Sequence, residues 1–237
     1  MKYCFDIETD GFLNQCTKVH CIVLKNIDTN EILKLDNETA IKELEQADLI
    51  VGHNIIKFDI PVLEKFYDFK PKGKVFDTIV ATRLLYPDVK ERDFKRKDFP
   101  TNCIGRHSLK AWGYRVGNYK EVFDTDWKEY SPAMLDYCIQ DVEVTDTLYK
   151  AMEGKGYSCQ AMELEHEVAT LIFKQERYGF MFNTDEAVKL YSKLNARRLE
   201  LEEQLQKLFP PKLEAMLKVK LFIKKRLLLL ILVQDII

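Results

Sequence analysis

The 237 residues include 36 Lys and Arg against 38 Asp and Glu, so the net charge of -2 gives no bulk attraction for a polyanion. With 46% hydrophobic and 31% charged residues the chain can build one sizeable core, which excludes a disordered protein. Six cysteines without a C-x-x-C pair point to reduced thiols and a cytoplasmic setting, and the Cys16, His20 and Cys21 cluster lacks the second ligand pair of a zinc site. Acidic residues from Asp6 onward precede any apolar stretch that a signal peptide needs. Residues 227–233 (LLLLILV) fall far short of the ~20 residues that cross a bilayer, so no membrane partner is expected.

Residues 2–7 and 19–26 have the composition of strands, and 31–35 forms a third, joined to the second by Asp28-Thr29-Asn30. Helical spacing at 39–47 leads to a short buried strand at 49–51, followed by helices at 60–67 and 78–86, the latter with Asp77 as N-cap. Residues 87–100 are charged, aperiodic and bounded by prolines, which predicts a long surface loop. A helix at 131–152 has Ser131 as N-cap and Pro132 at its first turn, and Gly154 and Gly156 end it. From Met162 the chain is helical and heavily charged, broken at Tyr178-Gly179 and ended by Pro210-Pro211. This order predicts an α/β fold, a mixed β-sheet flanked by helices, with a C-terminal helical extension. The composition change near 155 divides it into residues 1–155, a helical segment 156–211 and an atypical tail 212–237.

Three clusters carry chemistry. In a strand, residues two apart share a side, so Asp6 and Glu8 project together, and a divalent cation would relieve their repulsion. Hard oxygen ligands suit Mg²⁺ or Mn²⁺. In VGHNIIKFDIPVL, residues 51–63, Asp59 stands at a helix start, where the dipole favours a carboxylate, and His53 and Asn54 follow an apolar strand. In LDYCIQDVEVT, residues 135–145, Tyr137 and Asp141 are i and i+4 on one helix face. Taken singly, each cluster is most simply surface acids, a helix cap or an incidental pair. Basic runs at 65–74, 90–97 and 218–226 are solvated surface unless a phosphate site lies beside them.

Taken together and in order, Asp6-x-Glu8, Asn54 through Phe58-Asp59, and Tyr137-x-x-x-Asp141 resemble the three exonuclease motifs of the DEDD superfamily, tyrosine subtype. The histidine subtype has His five residues before the last Asp, where this chain has Asp136. SLKAWGYRVG at 108–117 and MELEHEVATLIFKQERYGFMFNTDEAVKLY at 162–191 extend the resemblance to the exonuclease half of family A DNA polymerases, most of all those of short-tailed bacteriophages, over residues 1–211. The tail KVKLFIKKRLLLLILVQDII does not resemble the start of a polymerase palm. A truncated or frameshifted polymerase gene and a separately encoded exonuclease subunit both fit this ending, and no polymerase activity is expected.

The resemblance implies an RNase H-like exonuclease fold and a 3′→5′ proofreading exonuclease. It implies two divalent ions, Mg²⁺ with Mn²⁺ also effective, about 4 Å apart. Asp6, Glu8 and Asp141 would bind one ion; Asp6 and Asp59 would hold the other. Tyr137 would orient the attacking water, since a phenol of pKa near 10 is a poor base at neutral pH. Substrates would be single-stranded or frayed DNA 3′ ends, with a DNA polymerase in trans as a further partner. Phe12 and Leu13 occupy positions that pack on the terminal base in such enzymes, Asn54 stands beside the second motif, and Arg106, His107 and Lys110 are candidate phosphate contacts. The competing readings are an RNA 3′-trimming nuclease like ribonuclease D and a non-catalytic module that docks on a polymerase.

Overall fold

The structure, a computed structural model, describes residues 1–118 and 126–209; the tail 212–237 and its apolar run lie outside the described residues. The chain divides into two compact units, 1–179 and 180–237. The first unit is built on β1 (Lys2–Thr9), β2 (Val19–Asn26), β3 (Ile32–Lys34), β4 (Leu49–Gly52) and β5 (Lys74–Asp77). Its helices are α1 (Asn37–Gln46), α2 (Asp59–Tyr67), α3 (Thr78–Leu85), α4 (Val89–Phe94), α5 (Leu109–Val116), α6 (Pro132–Lys155) and α7 (Cys159–Tyr178). In the second unit α8 (Thr184–Leu208) is capped by Asn183 and has no buried residue.

The strands lie in the order β3-β2-β1-β4-β5. β1 is antiparallel to β2 but parallel to β4, and β4 is parallel to β5, which is the mixed sheet of the RNase H-like fold. Alternation along β1 explains its central place. Tyr3, Phe5 and Ile7 enter one core with α1 and α2, while Cys4 enters the other with α5 and α6. Asp6 and Glu8 continue the Cys4 side. Of β1, Lys2, Tyr3 and Cys4 pair with β4, so both acids extend past its end. They therefore lie at the C-terminal edge of the three parallel strands, where open α/β sheets bind ligands.

Among the described residues β5, α4, α5 and the short 3-10 turn Thr101–Cys103 were not foreseen from sequence. β5 is four residues long, too short for alternation to register, and the hydrogen-bonding edge of β4 supplies its structure. Residues 87–100 contain α4, whose Asp93 is buried at 1% exposure and accepts a two-point ion pair from Arg115 of α5 at 2.7 and 3.0 Å. The Gly105 N–H joins the same carboxylate at 2.9 Å. A polar hub folds this segment, so its sequence shows no apolar period. α6 runs through Gly154 and is capped at Gly156. All six cysteines are free, and no described helix is long and apolar enough to cross a membrane.

Candidate active site

The first two acids meet α6. Ligand atoms of Asp6, Glu8 and Cys138 lie within 4.8 Å of one another. The Cys138 thiol donates to the Asp6 carbonyl at 3.4 Å and lies 3.6 Å from its carboxylate. Burial, the hydrogen bond to Cys21 and the nearby acids push that thiol well up, so it stays a proton donor. On the same helix Tyr137 and Asp141 are one turn apart, Asp141 buried and Tyr137 half-buried. The Tyr137 ring packs edge-on against Trp127 at 5.9 Å, and the Trp127 carbonyl is 2.8 Å from His20 Nε2.

Asp59 arrives from the other side of β1. Gly52 is the last residue of β4, and a Cβ there would meet the Ile55 side chain at 2.2 Å. Asn54 then takes a left-handed backbone, φ 70°, which turns the chain toward α2. Asp77 fixes this turn, accepting the N–H of Asn54 at 2.7 Å and of Ile56 at 3.1 Å while capping α3 through Ile79. His53 is bonded to Thr78 at 2.8 Å. Asp59 opens α2 and is buried.

Burial, with the charges of Asp77 and Asp141 adding to it, pushes the Asp59 carboxyl up to about 8. Without a cation, this cluster holds its charge at a cost. Among the described residues the ligand atoms of Asp6, Glu8 and Cys138 gather, and carboxylate oxygens suit hard divalent ions. Asp59 and Asp141, both buried, are not in that group but lie close enough for the charge of Asp141 to act on Asp59. The Cys138 thiol is the one soft atom in the Asp6, Glu8 and Cys138 group.

The remaining sequence-derived residues fall in different settings. Phe12 is 78% exposed, in the turn that follows β1, whereas Leu13 packs against the core. Arg106 is exposed, and Lys110 is partly exposed on α5. His107 is bonded to Thr82 at 3.1 Å. Burial, then the charges of Arg115 and Arg83, holds its imidazole below the usual range, which makes it a poor cation for phosphate. Sequence reasoning assigned Asp77 only a helix cap and did not single out Trp127 or Cys138. Only the position of Cys138, beside Tyr137 and one turn before Asp141, was available as a signal.

No family model matches the chain. Over 259 aligned positions it is 32% identical to the DNA-directed DNA polymerase of Escherichia phage T7 and 31% identical to that of Enterobacteria phage T3. Each alignment covers 86% of this chain and 36% of the polymerase, so the chain spans about a third of the length of these curated relatives. It is homologous to them through their N-terminal exonuclease region. Among solved structures, Brucella melitensis NrnC with bound Mg²⁺ is 19% identical, with 73% of this chain and 80% of that one covered and a TM-score of 0.47. Escherichia coli RNase D, an exoribonuclease, is 14% identical over 73% of this chain and 45% of its own, with a TM-score of 0.45. These likenesses are loose, and the fold assignment rests on the strand order.

Proposed function

We propose that this chain is a metal-dependent 3′→5′ exonuclease of the proofreading type, removing nucleoside 5′-monophosphates from DNA 3′ ends. The observation that carries the reading is the meeting of the β1 acids Asp6 and Glu8 with α6, which bears Asp141 and Tyr137, at the edge of the parallel strands. Homology to DNA polymerases favours DNA over RNA.

In this reading Asp6, Glu8 and Asp141 hold one Mg²⁺ or Mn²⁺ ion, and Asp6 with Asp59 holds a second. When bound, such ions supply water activation and neutralise charge developing on the phosphate. Tyr137 accepts or donates a hydrogen bond that orients the attacking water in line with phosphorus. Trp127, packed on its ring, limits where that hydroxyl can go. Phe12 offers an open aromatic face for the terminal base, and such stacking tolerates any base. The nucleic-acid partner is a single-stranded or frayed 3′ end; a DNA polymerase acting with this unit, in trans or otherwise, would supply such ends.

Single-stranded DNA labelled at either end is incubated with the purified chain in Mg²⁺, Mn²⁺ or EDTA. The expected result is stepwise shortening from the 3′ end with either ion, none in EDTA, and none for Asp6→Ala or Asp141→Ala. Undiminished cleavage by both variants rejects the site. A matched RNA oligonucleotide degraded faster than the DNA replaces this reading with 3′ trimming of RNA. Binding of DNA without cleavage under any metal leaves only a docking module.

A further inference from the structure

The turn that delivers Asp59 is held by a chain of hydrogen bonds that begins on α7. His166 uses its Nδ1 on the Met162 carbonyl at 2.7 Å, one helical turn back. A carbonyl only accepts, so Nδ1 carries the proton and Nε2 is an acceptor. Nε2 receives the Asp77 backbone N–H at 2.8 Å. The Asp77 carboxylate, 1% exposed, then accepts Asn54 and Ile56, the two N–H groups that shape the turn leading to Asp59. Phe76 lies against the His166 ring at 5.3 Å, and Lys57 of the turn pairs with Glu176 of α7 at 2.6 Å.

Capping α3 requires only the Ile79 N–H. Burying a carboxylate is costly, and a neutral Ser or Asn would cap the helix without that cost. The two further bonds to the Asn54 turn are what the charge adds, since bonds to a carboxylate are roughly twice as strong as neutral ones. Neither His166 nor Asp77 belongs to the proposed metal-ligand set.

We infer that His166 and Asp77 are positioning residues: α7, through the Asp77 carboxylate, fixes the backbone that seats Asp59, and so sets the affinity of the ion Asp59 would hold. The inference rests on the two-ion reading above. Groups that orient ligands from behind in this way change metal affinity about 10- to 100-fold when lost.

Mn²⁺ binding to the full chain is measured by calorimetry and by electron paramagnetic resonance of free Mn²⁺, with folding checked by circular dichroism. The unmodified chain is expected to bind two ions. His166→Ala should weaken one of them about 10- to 100-fold and leave the other unchanged. His166→Gln, whose amide oxygen can take the Asp77 N–H, should restore most of the loss. Asp77→Asn keeps an oxygen for Asn54 and Ile79 but turns an NH₂ toward the Ile56 N–H, and should weaken the same ion. If His166→Ala fails to fold, Asp77→Asn and His166→Gln decide: loss in the first and retention in the second support the relay. Equal affinities in the unmodified chain, His166→Ala and Asp77→Asn overturn it, as does an equal loss at both ions. A chain that binds no Mn²⁺ overturns the metal reading first, and the relay with it.

Discussion

Asp59 and Asp141, buried on α2 and α6, lie close enough that the charge of Asp141 adds to burial in pushing the Asp59 carboxyl up. Acids from two different helices thereby share one buried setting.

Metal-free stability should fall as pH rises because of that arrangement. Asp59 titrates near 4 when unfolded and at about 8 when folded, so the folded chain binds the extra proton between these values. Its stabilising contribution is full below about 4 and is lost as pH rises through about 8. Asp77, also pushed up by burial, acts in the same direction. In EDTA the melting temperature should be lower at pH 8 than at pH 6, and Mg²⁺ should raise it more at pH 8. Asp59→Asn should raise the melting temperature in EDTA at pH 8 while abolishing cleavage. A variant whose melting temperature in EDTA depends on pH as steeply as the parent's rejects the assignment.

Tyr137→Phe should lower turnover about 10²-fold, near the lower end of what a positioned proton-handling group contributes. Binding of single-stranded DNA in Ca²⁺ should change little. Trp127 packs edge-on against this tyrosine, a contact worth about 0.5–1.5 kcal/mol, so Trp127→Ala should slow turnover less. The double variant should match Tyr137→Phe alone, because the two residues share one effect. Full multiplication of the two losses would show that Trp127 acts elsewhere.

Lys25 of β2 lies at 6% exposure between Glu143 at 2.6 Å and Asp146 at 2.8 Å on α6, and Asp146 is itself buried at 2%. Lys25→Met leaves Asp146 with only the half-exposed Lys150. The expected cost is about 3–5 kcal/mol in urea unfolding, the range for breaking a buried pair from one side. Adding Asp146→Leu should recover part of it. No recovery would mean that the Lys25 stem, rather than its charge, supports α6.

Sequence showed most clearly the parts whose patterns are local. β1 and β2 are short runs of strand-forming residues, Ser131 and Pro132 announce α6, and two acids on one strand side with a Tyr-x-x-x-Asp pair are visible by spacing. β5 and α4 were missed because their partners are distant: the edge of β4 for one, the Arg115 guanidinium for the other. Asp77 was legible as a cap because a cap bond spans two residues, but its bonds to Asn54 and Ile56 cross more than twenty. No local pattern encodes that second role. For the same reason the half-burial that holds the His107 imidazole below its usual range was not visible beside the basic residues around it.

The pair that follows the first motif separates a substrate role from a packing role. Phe12 is 78% exposed and contributes its backbone carbonyl to the turn through Gln15 and Cys16, so Phe12→Ala should leave the melting temperature unchanged. If its ring stacks on the terminal base, the loss is about 1–3 kcal/mol, which raises KM for single-stranded DNA about 5- to 150-fold. Leu13 instead packs on the core beside α2, so Leu13→Ala should lower the melting temperature more than it changes KM. Steady-state kinetics and thermal denaturation of the two variants measure both effects. A Phe12→Ala enzyme with parental KM on DNA removes the ring from substrate binding, and a Leu13→Ala enzyme with parental stability and raised KM moves that role to Leu13.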